Sequence, residues 1–198
     1  RKGILLEMQK IIWELQYHSL LPVSKYCKKC GKKTEYASSG QFRINAQRKY
    51  LDIWLIYKCI NCNTTWNATI FSRINPKSLN QKLLDQFHNN DEALADHYAM
   101  DIENLQRNHC EIGLPDYTVT GDSIPYNETV ELHIKTKYQS PIKVSTIIRN
   151  KLQLSQKTYD NMITEGLIKN TSVHDLRKCK LLDGIVLTIN MGKEIVPF

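Results

Sequence analysis

No stretch of 18 residues in this 198-residue chain is free of charged side chains, which excludes an apolar helix long enough to cross a bilayer. Glu7, Lys10 and Glu14 interrupt the short apolar patches near the start, so the core of a signal peptide is missing as well. Glycine is scarce: the eight glycines (3, 31, 40, 113, 121, 166, 184 and 192) never fall into a phosphate-binding loop or a dinucleotide fingerprint. There is no H-E-x-x-H and no G-x-S-x-G, and the six histidines are scattered, none of them beside a cysteine in a nucleophile signature. Paired carboxylates such as Asp91-Glu92 read as helix-start charges. Catalysis therefore has no signature, and an enzyme whose site assembles only in three dimensions is the third reading. With no export signal, a reducing cytoplasm is the expected location. Met8 is taken as the native start, and residues 1–7 are left out of the fold reading.

The apolar share is 41%, an ordinary globular value once glycine is added, so disorder and collagen-like repetition are excluded. The net charge of +7 is unevenly spread. Residues 1–80 carry 14 basic and 4 acidic side chains, residues 81–140 carry 4 and 11, and residues 141–198 carry 9 and 5. Basic, acidic and basic blocks suggest two cationic modules joined by an acidic one. A cationic surface favours polyanions such as nucleic acid. Equally, the acidic block can dock on the basic ones and cancel much of the field.

Four of the six cysteines form two pairs, Cys27-Lys-Lys-Cys30 followed by Gly31 and Cys59-Ile-Asn-Cys62 followed by Asn63. Zinc prefers four tetrahedral ligands, and thiolate is a favoured structural one. A C-x-x-C turn aims two sulfurs at one metal, and the next residue often needs a left-handed backbone, which Gly and Asn tolerate. Disulfides would suit an exported chain, and a single C-x-x-C would suit redox chemistry, but two pairs argue for metal. Cys27, Cys30, Cys59 and Cys62 are thus expected to hold one structural zinc ion, leaving no open position for catalysis. Lys25, Lys28, Lys29, Lys32 and Lys33 crowd the first turn and would stabilise the deprotonated ligands.

Between and after the pairs the chain reads as strands. Gln41–Ala46 alternates, Gln47-Arg48-Lys49 makes a polar turn, and Tyr50–Cys59 and Thr64–Ile74 are rich in β-branched and aromatic residues. Two knuckles holding an antiparallel sheet make a zinc ribbon, too small to fold without its metal. Trp54 and Trp66 are expected in its core, while Phe42, Arg43, Arg48, Lys49 and Tyr50 offer a stacking and phosphate-binding face. The first Cys-x-x-Cys, Ser39–Ala46, Leu51–Cys59 and Thr65-Trp66-Asn67, with Ile12-Trp13-Glu14, Asn90-Asp91, Leu94-Ala95 and Met100-Asp101, together resemble a bacterial family of uncharacterised conserved proteins. That resemblance covers most of the chain from Met8 and implies a fold but no function.

The middle is helical and acidic. Pro76 suits a first turn, Leu79, Leu83, Leu84 and Phe87 follow at helical spacing, and a second helix runs from Asp91 to Arg107. His88, Asp91, Asp96, His97 and Asp101 are metal-ligand types at no recognised site spacing, and Cys110 and Cys179 read as free thiols. Tyr117–Thr120 and Thr129–Tyr138 read as strands. Lys143–Leu152 reads as a helix, Ser155 caps another that runs through Glu165, and Gly166 ends it. Leu167-Ile168 begins a strand and Leu181–Ile189 gives a turn and a closing strand. This helix, Leu-Ser, helix, Gly, strand order resembles the RNA-binding domain of ribosomal small-subunit protein four over residues 142–190. The resemblance implies RNA contact by Arg149, Lys151, Lys157 and Lys169, directed at shape and phosphates. The turn Asn170-Thr171-Ser172 and the order Asp183-Gly184 depart from that pattern.

The sequence is therefore read as an α+β protein with a zinc ribbon at 8–75, an acidic helical connector with two strands at 76–140 and a small αβ RNA-binding-like domain at 141–198. The expected partner is structured RNA, ribosomal or transfer RNA, with no membrane association and no chemistry of its own. A zinc-stabilised adaptor for a protein partner is the alternative.

Overall fold

The computed structural model describes residues 8–47, 49–170, 172 and 175–192. Along the chain it forms β1 (Lys10–Tyr17), β2 (Val23–Cys27), β3 (Lys32–Gln47), β4 (Tyr50–Cys59) and β5 (Thr65–Ile74). A 3-10 turn at Pro76–Ser78 leads to α1 (Gln81–His88), α2 (Glu92–Ala99) and α3 (Ile102–Arg107). Then come β6 (Glu111–Ile112), β7 (Tyr117–Gly121), β8 (Thr129–Thr136), α4 (Val144–Leu152), α5 (Gln156–Thr164), β9 (Ile168–Asn170) and β10 (Ile185–Asn190). The mixed α+β class is as expected, and no helix among the described residues is long and apolar enough to cross a membrane.

These elements form two compact units, Ser19–Asp116 and a second made of the flanking segments. The division differs from the boundaries drawn above at 75/76 and 140/141. The physical reason is strand pairing. β1 pairs in parallel with β8 and antiparallel with β7, so residues 8–17 belong with the carboxy-terminal half and not with the cysteines. The acidic middle is likewise split, its helices joining one unit and its strands the other.

The unit of flanking segments has a five-stranded sheet in the order β7-β1-β8-β10-β9. Ile11, Trp13 and Leu15 of β1 and Val130, Leu132 and Ile134 of β8 alternate inward, the period-2 pattern of a half-buried strand. They form one core with Ile147 and Ile148 of α4 and Tyr159 and Met162 of α5. α5 begins and ends as its residues dictate: the Ser155 hydroxyl accepts from the Thr158 amide, and Gly166 takes φ +73°. The turn residues Thr171, Val173 and His174 lie outside the described residues.

In the Ser19–Asp116 unit the sheet order is β5-β4-β3-β2-β6. β4 buries Leu51, Ile53, Leu55, Tyr57 and Cys59 on one face, and α1 to α3 pack against that side. Phe42 lies edge-on to Phe87 at 4.9 Å, and Phe71 stands near Phe87 and Tyr98, so the aromatic cluster joins sheet to helices. The expected single helix from Asp91 to Arg107 is two. Its first part closes at Met100, and the Asp101 carboxylate accepts from the Asn104 amide at 2.9 Å to start α3. A side-chain cap there competes successfully with continuation of the helix.

Candidate metal centre

Each cysteine pair sits where a strand ends. β2 delivers Cys27, the chain turns through Lys28 and Lys29 to Cys30, and the Gly31 amide donates to the Cys27 carbonyl at 2.9 Å. β4 delivers Cys59, the chain turns to Cys62, and the Asn63 amide donates to the Cys59 carbonyl, also at 2.9 Å. Gly31 and Asn63 take φ +67° and +58°, the left-handed conformation read from their residue types. The two turns are near copies of one another, and β3 pairs with both β2 and β4 to bring them together.

The four sulfurs lie within 4.8 Å of one another, with Cys27 Sγ 3.5 Å from Cys62 Sγ and Cys30 Sγ 3.9 Å from Cys59 Sγ. A tetrahedral zinc with bonds of about 2.3 Å has sulfur–sulfur edges of about 3.8 Å. These separations bracket that edge, and all four cysteines are free thiols. The residues fit a metal ion such as zinc, held by all four sulfurs.

Electrostatics point the same way. The Tyr36 hydroxyl and the Cys30 amide hydrogen-bond the Cys27 sulfur and lower its pKa to about 6. The Thr34 hydroxyl, 3.2 Å away, together with the Asn61 and Cys62 amides, lowers that of Cys59. Cys30 is pushed up to about 12 by Cys62, by burial and by its other sulfur neighbours. Thiolates this close repel one another, so full ionisation of the set calls for a cation at its centre. Thr34 and Tyr36 were not among the expected site residues. The signal for them was the parity of β3, which places Tyr36 opposite Cys59.

The lysines divide. Lys28, Lys29 and Lys32 are exposed around the first turn. Lys25 instead donates to the Asn108 and His109 carbonyls at the end of α3 and lies 5.0 Å from the centre of the Trp66 ring, while Lys33 pairs with Glu111. These two are tied to neighbouring elements and not committed to the sulfurs.

Of the expected stacking face, Phe42 is withdrawn under the helices, Tyr50 is exposed, and Arg48 lies outside the described residues. Trp66 packs on Tyr57 and Tyr36 on the helix side, whereas Trp54 is half-buried on the opposite face of β4. His88, Asp91, Asp96, His97 and Asp101 form no metal cluster among the described residues, and Asp91 and Asp101 serve as helix caps.

The four positions expected to contact RNA separate into two kinds. Arg149 donates to the Leu154 carbonyl and to Gln156 at 2.9 Å, tying α4 to α5. Lys151 donates to the Val119 carbonyl at 3.0 Å and stands 5.8 Å from the centre of the Trp13 ring. Lys157 and Lys169 are exposed.

Compared with known proteins, residues 44–174 match the model of a family described as protein of unknown function (DUF1062). The chain belongs to the DUF1062 family. The DUF1062 match takes in Cys59 and Cys62 but begins beyond Cys27 and Cys30, so the completed cysteine set rests on the geometry above. No curated protein and no solved structure matches the chain.

Proposed function

We propose that this DUF1062 protein is a zinc-stabilised binding protein whose partner is structured RNA, with the metal holding the fold. The carrying observation is the cluster of four sulfurs from Cys27, Cys30, Cys59 and Cys62, all within 4.8 Å of one another. Four thiolates complete zinc's coordination, so the metal's contribution is to folding and function is left to the surface. The RNA reading draws on the order α4, Leu154-Ser155, α5, Gly166, β9 and on the exposed lysines 157 and 169. With half-buried Arg149 and Lys151 hydrogen-bonded to Gln156 and to the Val119 carbonyl, phosphate contact falls to Lys157 and Lys169.

The test has two arms. Elemental analysis of the purified protein gives one zinc per chain, and Cys59→Ser loses it. Binding to a folded transfer RNA weakens as salt rises, and Lys157→Glu with Lys169→Glu lowers affinity about tenfold while circular dichroism is unchanged. RNA affinity indifferent to salt and to both substitutions rejects the reading. The adaptor reading draws on Tyr26 and Ile60, 62% and 56% exposed beside the cysteine turns. It predicts nuclease-resistant capture of one protein, unaltered by Lys157→Glu.

A further inference from the structure

The face of the Ser19–Asp116 sheet that α1 to α3 leave open carries a row the function above does not use. Every second residue of β4 points to it: Tyr50, Asp52, Trp54, Ile56 and Lys58. Arg43 of β3 stands directly opposite Trp54, and the guanidinium of Arg73 lies over the Tyr50 ring at 5.5 Å from its centre. At the hairpin end, Gln47, Lys49, Tyr50, Asp52 and Arg73 line a cleft of about 700 Å³.

Charge on this face is mostly positive, four cations with Asp52 between the two aromatics. Arg43, Lys49, Lys58 and Arg73 form no ion pair with a carboxylate among the described residues. The acid among them, Asp52, is engaged at home: its carboxylate accepts from the Arg73 amide at 2.8 Å and from the Ser72 hydroxyl. Glu35 lies at the other end, towards the cysteine turns. A protein partner would need matching acids to meet Arg43, Lys49, Lys58 and Arg73, none of them ion-paired among the described residues, along a row that also holds two aromatic rings. A single strand of nucleic acid supplies both halves of the match, with bases for the rings and phosphates for the cations. A duplex hides its base faces and offers only the phosphates.

We propose that this open face binds single-stranded nucleic acid, with bases stacking on Tyr50 and Trp54 and phosphates held by Arg43, Lys49, Lys58 and Arg73. Tyr50 and Trp54 are four residues apart on one strand, about 13 Å, so separate bases of one segment reach both rings. Recognition is tolerant of sequence, because each base presents a π-face and the cations address the backbone. This is a different site and a different ligand form from the structured-RNA reading, and neither depends on the other.

The test uses the full zinc-loaded chain and fluorescein-labelled oligouridine and oligothymidine of about a dozen nucleotides, with a duplex of equal length as comparison. The single strands bind more tightly than the duplex and quench tryptophan fluorescence. Trp54→Ala and Tyr50→Ala each weaken binding about tenfold or more, and Trp54→Phe restores most of the loss. Arg43→Ala and Lys58→Ala each weaken it and flatten the salt dependence by about 0.7 in the log–log slope. Lys82→Glu, at an exposed cation of α1, leaves single-strand binding unchanged. Zinc content and circular dichroism confirm that each variant is folded, and exposed Tyr50 and Arg43 keep the test open should Trp54→Ala destabilise the sheet. Affinity within twofold of the parent for Tyr50→Ala and Arg43→Ala, or duplex binding as tight as single-strand binding, overturns the proposal.

Discussion

Gly121 is a position where one methyl group has nowhere to go. It closes β7 opposite Trp13 with φ +123°, and a Cβ there would lie 2.2 Å from the Ile12 carbonyl oxygen and 2.7 Å from the Trp13 ring. Both the backbone conformation and the clash act against a side chain. Gly121→Ala is therefore expected to cost about 2–4 kcal/mol, read as a fall in the urea midpoint, with the zinc content intact. At the cysteines the expectation concerns pH. Cys27, with its pKa lowered to about 6 by the Tyr36 hydroxyl and the Cys30 amide, remains a thiolate at neutral pH, whereas the raised Cys30 would have to release its proton to solvent in order to ligate a metal. A depressed folded-state pKa contributes above the unfolded value and is lost as pH falls through the folded one. Zinc affinity is thus flat for Cys27 above neutrality and falls steeply below about pH 6, measured by competition with a chromogenic chelator, and Tyr36→Phe moves that fall to higher pH. Affinity unchanged between pH 7 and pH 5 would contradict thiolate ligation. The two cysteine turns that come together and the left-handed Gly31 and Asn63 were legible in the sequence because their chemistry is local, five consecutive residues at a time. The commitment of Lys151 was not, since it finds its acceptor at Val119 on β7.

Among the elements, α3 shows how a short helix can protect a sheet edge. β5 is the outer strand of its sheet, and the exposed edge of such a strand invites pairing with another chain. Asn108 accepts from the Thr69 amide at 2.7 Å and donates to its carbonyl at 2.9 Å, while Asn104 donates to the same carbonyl. Two side chains thereby imitate a neighbouring strand for one residue of β5. Asn108→Ala leaves the Thr69 amide without its partner and is expected to cost about 1–3 kcal/mol, with faster hydrogen exchange at Thr69 as the local readout. Unchanged exchange there would show that water replaces the asparagine at no cost. Elements with dense local signals were readable: β4 and β5 from β-branched and aromatic runs, α5 from its Ser155 cap and Gly166 stop. β1 was not, although Ile11, Trp13 and Leu15 alternate cleanly, because its partners β7 and β8 lie more than a hundred residues further along. The break between α2 and α3 was missed because the apolar spacing runs through it, and only the Asp101 cap decides the matter.

On the scale of the whole molecule, charge and topology correct one another. The blocks of basic, acidic and basic sequence do not survive folding as surfaces: Ser19–Asp116 holds 13 Lys+Arg against 10 Asp+Glu, and the flanking segments hold 14 against 10. The acidic helices pack on the basic sheet within one unit, so net charge says little about partners, and any polyanion contact must be argued from individual unpaired cations. Topology makes Ser19–Asp116 a continuous insertion between β1 and β7, whose ends are drawn together by the antiparallel pairing of those two strands. All four candidate metal ligands lie inside the insertion and none in the unit that receives it. The four sulfurs tie the ends of β2 and β4 together beside the insertion's own buried residues Ile53, Leu55, Phe87 and Leu105, whereas the core of the receiving unit, Trp13, Leu132, Ile134, Ile147 and Tyr159, contains no candidate ligand. Removing the metal should therefore unfold one unit and spare the other. With a strong chelator, amide protection is expected to be lost across β2 to β5 and retained in β8 and β10, and calorimetry should show a second, lower transition absent from the zinc-loaded protein. Cys30→Ser should reproduce the chelator's effect without it. Uniform loss of protection in both sheets would mean that the two units fold as one cooperative system, and uniform retention would mean that the sulfurs contribute nothing to the fold.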